Sequence, residues 1–126
     1  MILPDGNVLI AFKHLDHAEH AKAKSFFSKS PKIATCPITE LNLVRGLMQL
    51  NYSGKEADEL LADFISRHRA RLIADDISAE KIKGLCRGHR ETTDAYLAEL
   101  AKAHGLTVGT LDKSFAKKFP GIVNLI

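Results

Sequence analysis

Hydrophobic residues in this chain fall into short apolar runs that alternate with longer amphipathic segments. The short runs have the length and composition of buried strands, and they lie at residues 1–4, 33–36, 71–74, 106–110 and 123–126. In the longer segments, apolar residues recur at helical spacing among charged ones. This alternation predicts an α/β fold in three layers, with a short parallel sheet of four to five strands flanked by helices.

Polar residues that can bind free backbone N–H groups indicate where the helices begin. Ser53 and Glu56 have the spacing of a capping box, and the apolar residues of the segment 57–65 follow at helical intervals. Thr39 is predicted as the N-cap of the preceding helix, which places Glu40 in its first turn.

Two later helices are predicted in the same way. Ser78 is expected to cap a helix that continues through Leu85, and Thr92 or Thr93 is expected to cap the next one. Asp94 then lies in a first helical turn.

Length and composition indicate one ordinary globular domain. The 126 residues are enough to bury a core without disulfides, so we expect a single domain spanning 1–126. Cys36 and Cys86 lie in apolar surroundings, far apart in the sequence and without a CxxC motif, which predicts reduced thiols and a cytoplasmic location. No segment has the length and apolarity of a membrane span or a signal peptide.

The chain has a mild excess of basic residues. Its 18 Lys and Arg against 15 Asp and Glu give a net charge of +3. If several acids are occupied around a metal ion, the remaining surface is more basic than this value suggests, which suits a polyanion such as RNA.

Four acidic residues are predicted to lie near one edge of the sheet. Asp5 and Asp112 follow predicted strands, and Glu40 and Asp94 begin predicted helices. Because ligands bind beyond the carboxyl ends of parallel strands, these side chains are expected to share a site. Carboxylates in such a cluster repel one another unless a cation joins them, so the arrangement points to a divalent metal ion.

Each acid also has an ordinary explanation on its own. Acids in a first helical turn favour the helix dipole by about 0.3 to 1 kcal/mol, and Asp is common in turns. Two neighbours favour a joint site: Asn7 lies two residues after Asp5, and Thr110 lies two residues before Asp112. Both can orient a carboxylate from behind the metal ligands.

Four segments together resemble the PIN-domain ribonucleases, and among them the small VapC-type toxins of toxin–antitoxin operons. They are Leu3 to Ala11, Pro37 to Leu41, Thr93 to Ala98, and Thr110 to Phe115. The resemblance implies that Asp5, Glu40, Asp94 and Asp112 are the catalytic, metal-binding acids, with Asn7 and Thr110 supporting them. Gly6 is a departure, since Thr, Val or Ser is more usual at that position.

The family chemistry implied by this resemblance is hydrolysis of RNA by an endoribonuclease that uses Mg²⁺ or Mn²⁺, for which hard oxygen ligands are suited. In-line attack by an activated water would leave a 5′-phosphate and a 3′-hydroxyl. The resemblance also implies a cognate antitoxin that covers the acidic groove, and a toxin homodimer.

Basic residues are needed to hold the RNA strand beside such a site. Arg87 and Arg90 precede Asp94 and are the first candidates for RNA binding. The basic run from Arg67 to Arg71 is the next candidate.

Three alternatives remain at the level of sequence. A metal-free nuclease could use His14, His17 and His20 as acid and base, and the same histidines could bind zinc if they shared a helix face. A phosphoacceptor receiver domain fits poorly, since Asp5 stands alone after the first strand. A catalytically inactive PIN-like module would bind RNA or protein without cutting it.

Overall fold

A computed structural model describes all residues from Met1 to Ile126 and contains five short strands and six α-helices. The strands are β1 (Ile2–Pro4), β2 (Ala34–Thr35), β3 (Arg71–Leu72), β4 (Thr107–Thr110) and β5 (Val123–Leu125). The helices are α1 (Gly6–Lys13), α2 (His20–Ser28), α3 (Pro37–Gln49), α4 (Gly54–His68), α5 (Thr92–Ala103) and α6 (Lys113–Lys118). All five predicted strands are present.

The strands pair in parallel throughout. One sheet has the order β1-β4-β5, and β2 pairs with β3. A single bridge between Ile2 and Ile33 joins the two sheets, so the strands follow one another as β3-β2-β1-β4-β5. Their carboxyl ends therefore lie along one edge, as the alternation of strands and helices predicted.

A hydrophobic core lies on each side of the strands. Leu3, Leu100, Val108 and Phe115 belong to the core beneath α5 and α6. The other core lies among α1 to α4 and contains the residues Val8, Leu9, Phe27, Ile33, Leu43, Leu47, Ala57 and Phe64. The two cores make the three-layer α/β arrangement expected from the sequence. None of the six α-helices has the length and apolarity of a membrane span.

The capping box of α4 is confirmed, whereas the predicted start of α3 is wrong. The Ser53 hydroxyl accepts from the Glu56 N–H at 3.0 Å, and the Glu56 carboxylate accepts from the Ser53 N–H at 3.0 Å.

Helix α3 begins earlier than predicted, with Cys36 as its N-cap and Pro37 as its first residue. Proline suits this position because its φ is preset and its missing N–H has no helical partner there. Thr39 lies inside the first turn, where its hydroxyl accepts from the Cys36 N–H.

The segment before α5 also differs from the prediction. Ser78 caps only a short 3₁₀ helix, Ala79–Ile82. Gly84 then takes a φ of +79°, which ends helical structure before Leu85. A second 3₁₀ turn, His89–Glu91, leads directly into α5, so the backbone arrives already helical and neither threonine serves as the N-cap.

Both cysteines are free, as expected, and Cys36 is fully buried. Burial raises the pKa of the Cys36 thiol to about 11, so this thiol is protonated and unreactive at neutral pH.

Gly6 allows α1 and α3 to approach closely. A Cβ at Gly6 would lie 2.5 Å from the Cβ of Asn42, which cannot rotate away. We therefore expect Gly6→Ala to lower the free energy of unfolding by about 1 to 3 kcal/mol through overpacking, although alanine favours helices. Gly54→Ala is the matched control, because its Cβ would meet only Met48 Cε at 3.9 Å. Urea unfolding of both variants measures the difference, and equal stability of the two would contradict the close approach.

Candidate active site

Asp5 lies at the carboxyl end of β1 and is almost completely buried, with 5% of its surface exposed. It is the N-cap of α1, where its Oδ1 accepts from the Val8 N–H at 3.0 Å. Its backbone N–H donates to the Gly109 carbonyl of β4 at 2.9 Å. The carboxylate is thus held in one orientation by the strand behind it and the helix in front.

Thr110 connects Asp5 to the end of β4. Its buried hydroxyl donates to Asp5 Oδ2 at 2.6 Å and accepts from the Asp112 N–H at 3.0 Å. The Thr110 hydroxyl thus orients the Asp5 carboxylate but contacts only the backbone of Asp112, and its supporting role in a metal site stays a prediction.

Asp112 and Asp94 complete a group of three neighbouring carboxylates. Asp112 is the N-cap of α6, and its Oδ1 accepts from the N–H groups of Ser114 and Phe115. Asp94 lies in the first turn of α5 and makes no hydrogen bond to the protein that would fix its carboxylate. Free oxygen atoms on both residues are available for a ligand.

The pKa values show that these three charges interact. The pKa of Asp94 is raised to about 6, chiefly by burial and then by the charges of Asp5 and Asp112. Burial also raises the pKa of Asp5, against the lowering effect of its hydrogen bonds, and Asp112 raises it further. Lys118 lowers the pKa of Asp94 but forms its own ion pair with Glu91 at 2.7 Å. The group therefore lacks a basic side chain that neutralises it.

Glu40 is held separately. It lies in the first turn of α3, at the carboxyl end of β2, and its Oε2 accepts from the Thr35 hydroxyl at 2.7 Å. It lines neither of the two cavities that contain Asp94. The structure thus brings Asp5, Asp94 and Asp112 together and leaves Glu40 on the same edge of the sheet, bound to its own threonine.

The donor set fits a hard divalent cation, because it consists of carboxylate oxygens whose mutual repulsion a cation would relieve. No three acidic, imidazole or thiol groups surround a common point at ligand distances. Binding an ion therefore requires rotation of the Asp94 side chain, which no hydrogen bond fixes, or intervening water molecules.

Two cavities meet at Asp94. One, of about 220 Å³, is lined by Asp5, Asn7, Asn42, Arg45, Gln49 and Asp94 among others. The other, of about 500 Å³, contains Arg87, Asp94, Asp112, Lys117, Lys118 and Phe119. Together they form a groove that is acidic in the middle and basic on both sides.

The supporting residues predicted from the sequence have mixed outcomes. Asn7 is exposed and lines the groove, but its side chain makes no hydrogen bond to Asp5; its backbone N–H instead helps to lower the pKa of that carboxyl. Arg87 lines the groove beside Asp94 and Asp112, whereas Arg90 does not.

Sequence reasoning missed Arg45 and the pair Lys117 and Lys118. A signal for Arg45 was present, since the polar residues Asn42, Arg45 and Gln49 recur at helical spacing along α3. The two lysines lie at the end of α6, the helix that Asp112 caps.

The histidines do not converge on a common point. His14 Nδ1 lies 2.9 Å from the Tyr52 hydroxyl, His17 Nδ1 accepts from the Glu19 N–H, and His20 Nδ1 lies 2.9 Å from the Ala11 carbonyl. Each ring is occupied by a different neighbour, so the zinc and metal-free nuclease alternatives lose the clustering that they require.

A family model described as PIN domain matches residues 2–118. The chain belongs to the PIN-domain family. It is 35% identical over 128 aligned residues to Ribonuclease VapC29 of Mycobacterium tuberculosis, a match that covers 99% of this chain and 96% of the relative. It is 31% identical over 120 aligned residues to Ribonuclease VapC38 of the same organism, covering 89% and 85%.

Solved structures share the fold. VapBC2 from Rickettsia felis, crystallised with a DNA fragment from its promoter, matches with a TM-score of 0.69 and 20% identity over 100% of this chain and 99% of that one. PAE2754 from Pyrobaculum aerophilum matches with a TM-score of 0.64 and 21% identity, over 97% and 81%. The arrangement of strands and helices described above is that of these proteins.

The raised pKa of Asp94 predicts a stability effect that depends on pH. Because the pKa rises from 3.8 to about 6 on folding, ionisation of Asp94 lowers the free energy of unfolding of the metal-free protein. This destabilisation is absent below pH 4, where the carboxyl is protonated in both states, and complete above pH 6. Asp94→Asn should therefore be more stable than the wild type at pH 7.5, by about 1 to 3 kcal/mol, with the difference vanishing near pH 4. Urea unfolding of both proteins in EDTA at the two pH values measures this, and lower stability of the variant at pH 7.5 would instead identify Asp94 as a helix-dipole residue.

Proposed function

We propose that this protein is a metal-dependent endoribonuclease, the toxin of a VapC-type toxin–antitoxin pair that inhibits translation or growth. The observation that supports it most strongly is the set of three carboxylates, Asp5, Asp94 and Asp112, which share one groove without a basic partner. Curated relatives that align over nearly the full chain are named as VapC ribonucleases.

The cofactor proposed is Mg²⁺ or Mn²⁺. Asp5, Asp94 and Asp112 would hold it, with Glu40 binding directly or through water. Such an ion, when bound, activates water and stabilises the charge that develops on the phosphate. This assignment is supported by the oxygen-only donor set and by the repulsion that raises the pKa of Asp94.

The protein's residues have separate tasks in this proposal. Thr110 and the N-terminus of α1 keep the Asp5 carboxylate in one orientation, so the site is partly preorganised. Asp94 is free to move, and the positive ion would lower its pKa and keep it ionised at neutral pH. Cleavage in line with the attacking water leaves a 5′-phosphate and a 3′-hydroxyl.

The substrate proposed is single-stranded or looped RNA, because an unpaired backbone can enter a shallow groove. Arg87 and Lys117 lie on one side of Asp94 and can bind the flanking phosphates, while Lys118 beside them is paired with Glu91. Arg45 lies on the other side. Basic residues on both sides would guide the strand across the acids.

The partners proposed are an antitoxin protein and a second copy of the chain. The relative from Rickettsia felis is a VapBC2 complex bound to promoter DNA, and the antitoxin would cover the groove when the toxin is inactive. We place the protein in the cytoplasm, where its RNA substrate and its reduced cysteines belong.

Asp5→Asn tests the metal site directly. The amide keeps the size of the side chain, and its Oδ1 can still accept from the Val8 N–H. Its NH2 group takes the place of the oxygen that accepts from Thr110 and can donate to that hydroxyl oxygen instead, while a metal-binding charge is lost. RNA cleavage should fall by a factor of about 10² or more, since a directly coordinating charge is lost, while the melting temperature is retained. Asp58→Asn, on the exposed face of α4, is the control. Timed incubation with RNA and Mg²⁺ measures the rate, and cleavage at the wild-type rate by Asp5→Asn would reject the assignment.

Arg87 and Arg90 form a matched pair, because only Arg87 lines the groove. Arg87→Ala should weaken RNA binding and reduce the slope of log affinity against log salt by about 0.7, the value expected for one lost phosphate contact on a single strand. Arg90→Ala should leave the slope nearly unchanged. Fluorescence titrations at several salt concentrations provide the slopes, and calorimetry with Mn²⁺ should show equal metal affinity for both variants. Equal salt slopes would mean that Arg87 does not contact phosphate.

A further inference from the structure

The smaller cavity beside Asp94 has a polar wall that the metal site does not use. Asn42, Arg45 and Gln49 lie on one face of α3, about one helical turn apart, and line the same cavity as Asp5 and Asp94. Their amide and guanidinium groups are planar and can each make two hydrogen bonds at once. None of the three belongs to the hydrophobic cores.

Arg45 has no acidic partner. Its guanidinium donates to Asn42 Oδ1 at 2.9 Å, and it takes part in no ion pair. Asp5 and Asp94 line the same cavity, but in the proposed function they bind the metal ion. The positive charge of Arg45 is therefore available to bind an anion. A phosphate of a strand that crosses Asp94 would supply that anion.

Two glycines line this cavity where α1 and α3 approach each other. A Cβ at Gly46 would lie 2.3 Å from Ile10 Cδ1, and a Cβ at Gly6 would lie 2.5 Å from Asn42 Cβ. The absence of both side chains lets α1 pack directly against α3, so the two helices meet at the cavity that holds Asp5 and Gln49.

We propose that Asn42, Arg45 and Gln49 form a subsite that binds one nucleotide next to the cut and selects its base. The two amides read the edge of the base, since amides both donate and accept. Arg45 binds the adjoining phosphate without regard to sequence. This inference rests on the proposed ribonuclease function and adds the residues that determine which sequence is cut.

Sequencing of the RNA ends produced from a random single-stranded pool in Mg²⁺ tests the proposal. Asn42→Ala keeps the Cβ that packs on Gly6 and removes the amide together with its hydrogen bond from the exposed Arg45, and Gln49→Ala changes an exposed residue. Each should reduce the base preference at one position beside the cut by about fivefold or more, the effect of losing a bidentate contact to a base. Arg45→Ala should slow cleavage of all sequences alike. Asn124→Ala removes an exposed amide from β5 and should change neither.

The outcomes distinguish failure of the subsite from failure of the proposed ribonuclease function. The double variant Asn42→Ala, Gln49→Ala is decisive if it still cuts the pool. Base frequencies equal to those of the wild type would then overturn the subsite and leave the ribonuclease assignment intact. A pool left uncut by the wild type would overturn both. Melting curves and Mn²⁺ titrations equal to those of the wild type are expected for the double variant, so an altered preference could not be attributed to misfolding or to loss of metal.

Discussion

The buried hydrogen bond from the Thr110 hydroxyl to the Asp5 carboxylate holds the site together. It spans 2.6 Å between residues 105 positions apart in the chain, and the same hydroxyl accepts from the Asp112 N–H. Charge-assisted hydrogen bonds of this kind are roughly twice as strong as neutral ones. Because β1 and β4 are neighbours in the sheet, this contact fixes the first and last acids relative to each other, and Asp94 enters the same groove from α5.

Carboxylates held so closely oppose folding unless a cation is present. Burial and the neighbouring charges both raise the pKa of Asp94, and Lys118, the basic residue that lowers it, is engaged by Glu91. The fold thus maintains a local repulsion that its two hydrophobic cores offset. Strain of this type at functional sites is common, because the groups that bind a ligand are not arranged for the stability of the empty protein.

The positions of residues that directly follow strands could be predicted from the sequence, because the carboxyl ends of parallel strands lie along one edge of the sheet. Asp5 and Asp112 followed from that rule, and the Ser53 capping box followed from local hydrogen bonding. The start of α3 was misplaced because proline at the first helical position overrode the preference of Thr39 for the N-cap. Arg87 was among the basic residues predicted to lie beside the acids, whereas Arg45 and Lys118 were not. The helical spacing of the polar residues on α3 was visible in the sequence, but that this face borders the acids depends on the packing of α1 against α3.

Proton release on metal binding is the most direct test of the central claim, that a divalent cation is held by the coupled carboxylates. Calorimetric titration of the wild type with Mn²⁺ in two buffers of different ionisation enthalpy gives the number of protons released per ion. With the pKa of Asp94 near 6, roughly half a proton or more should be released at pH 6 and almost none at pH 8. Binding without proton release at pH 6, or no binding at all, would contradict the account.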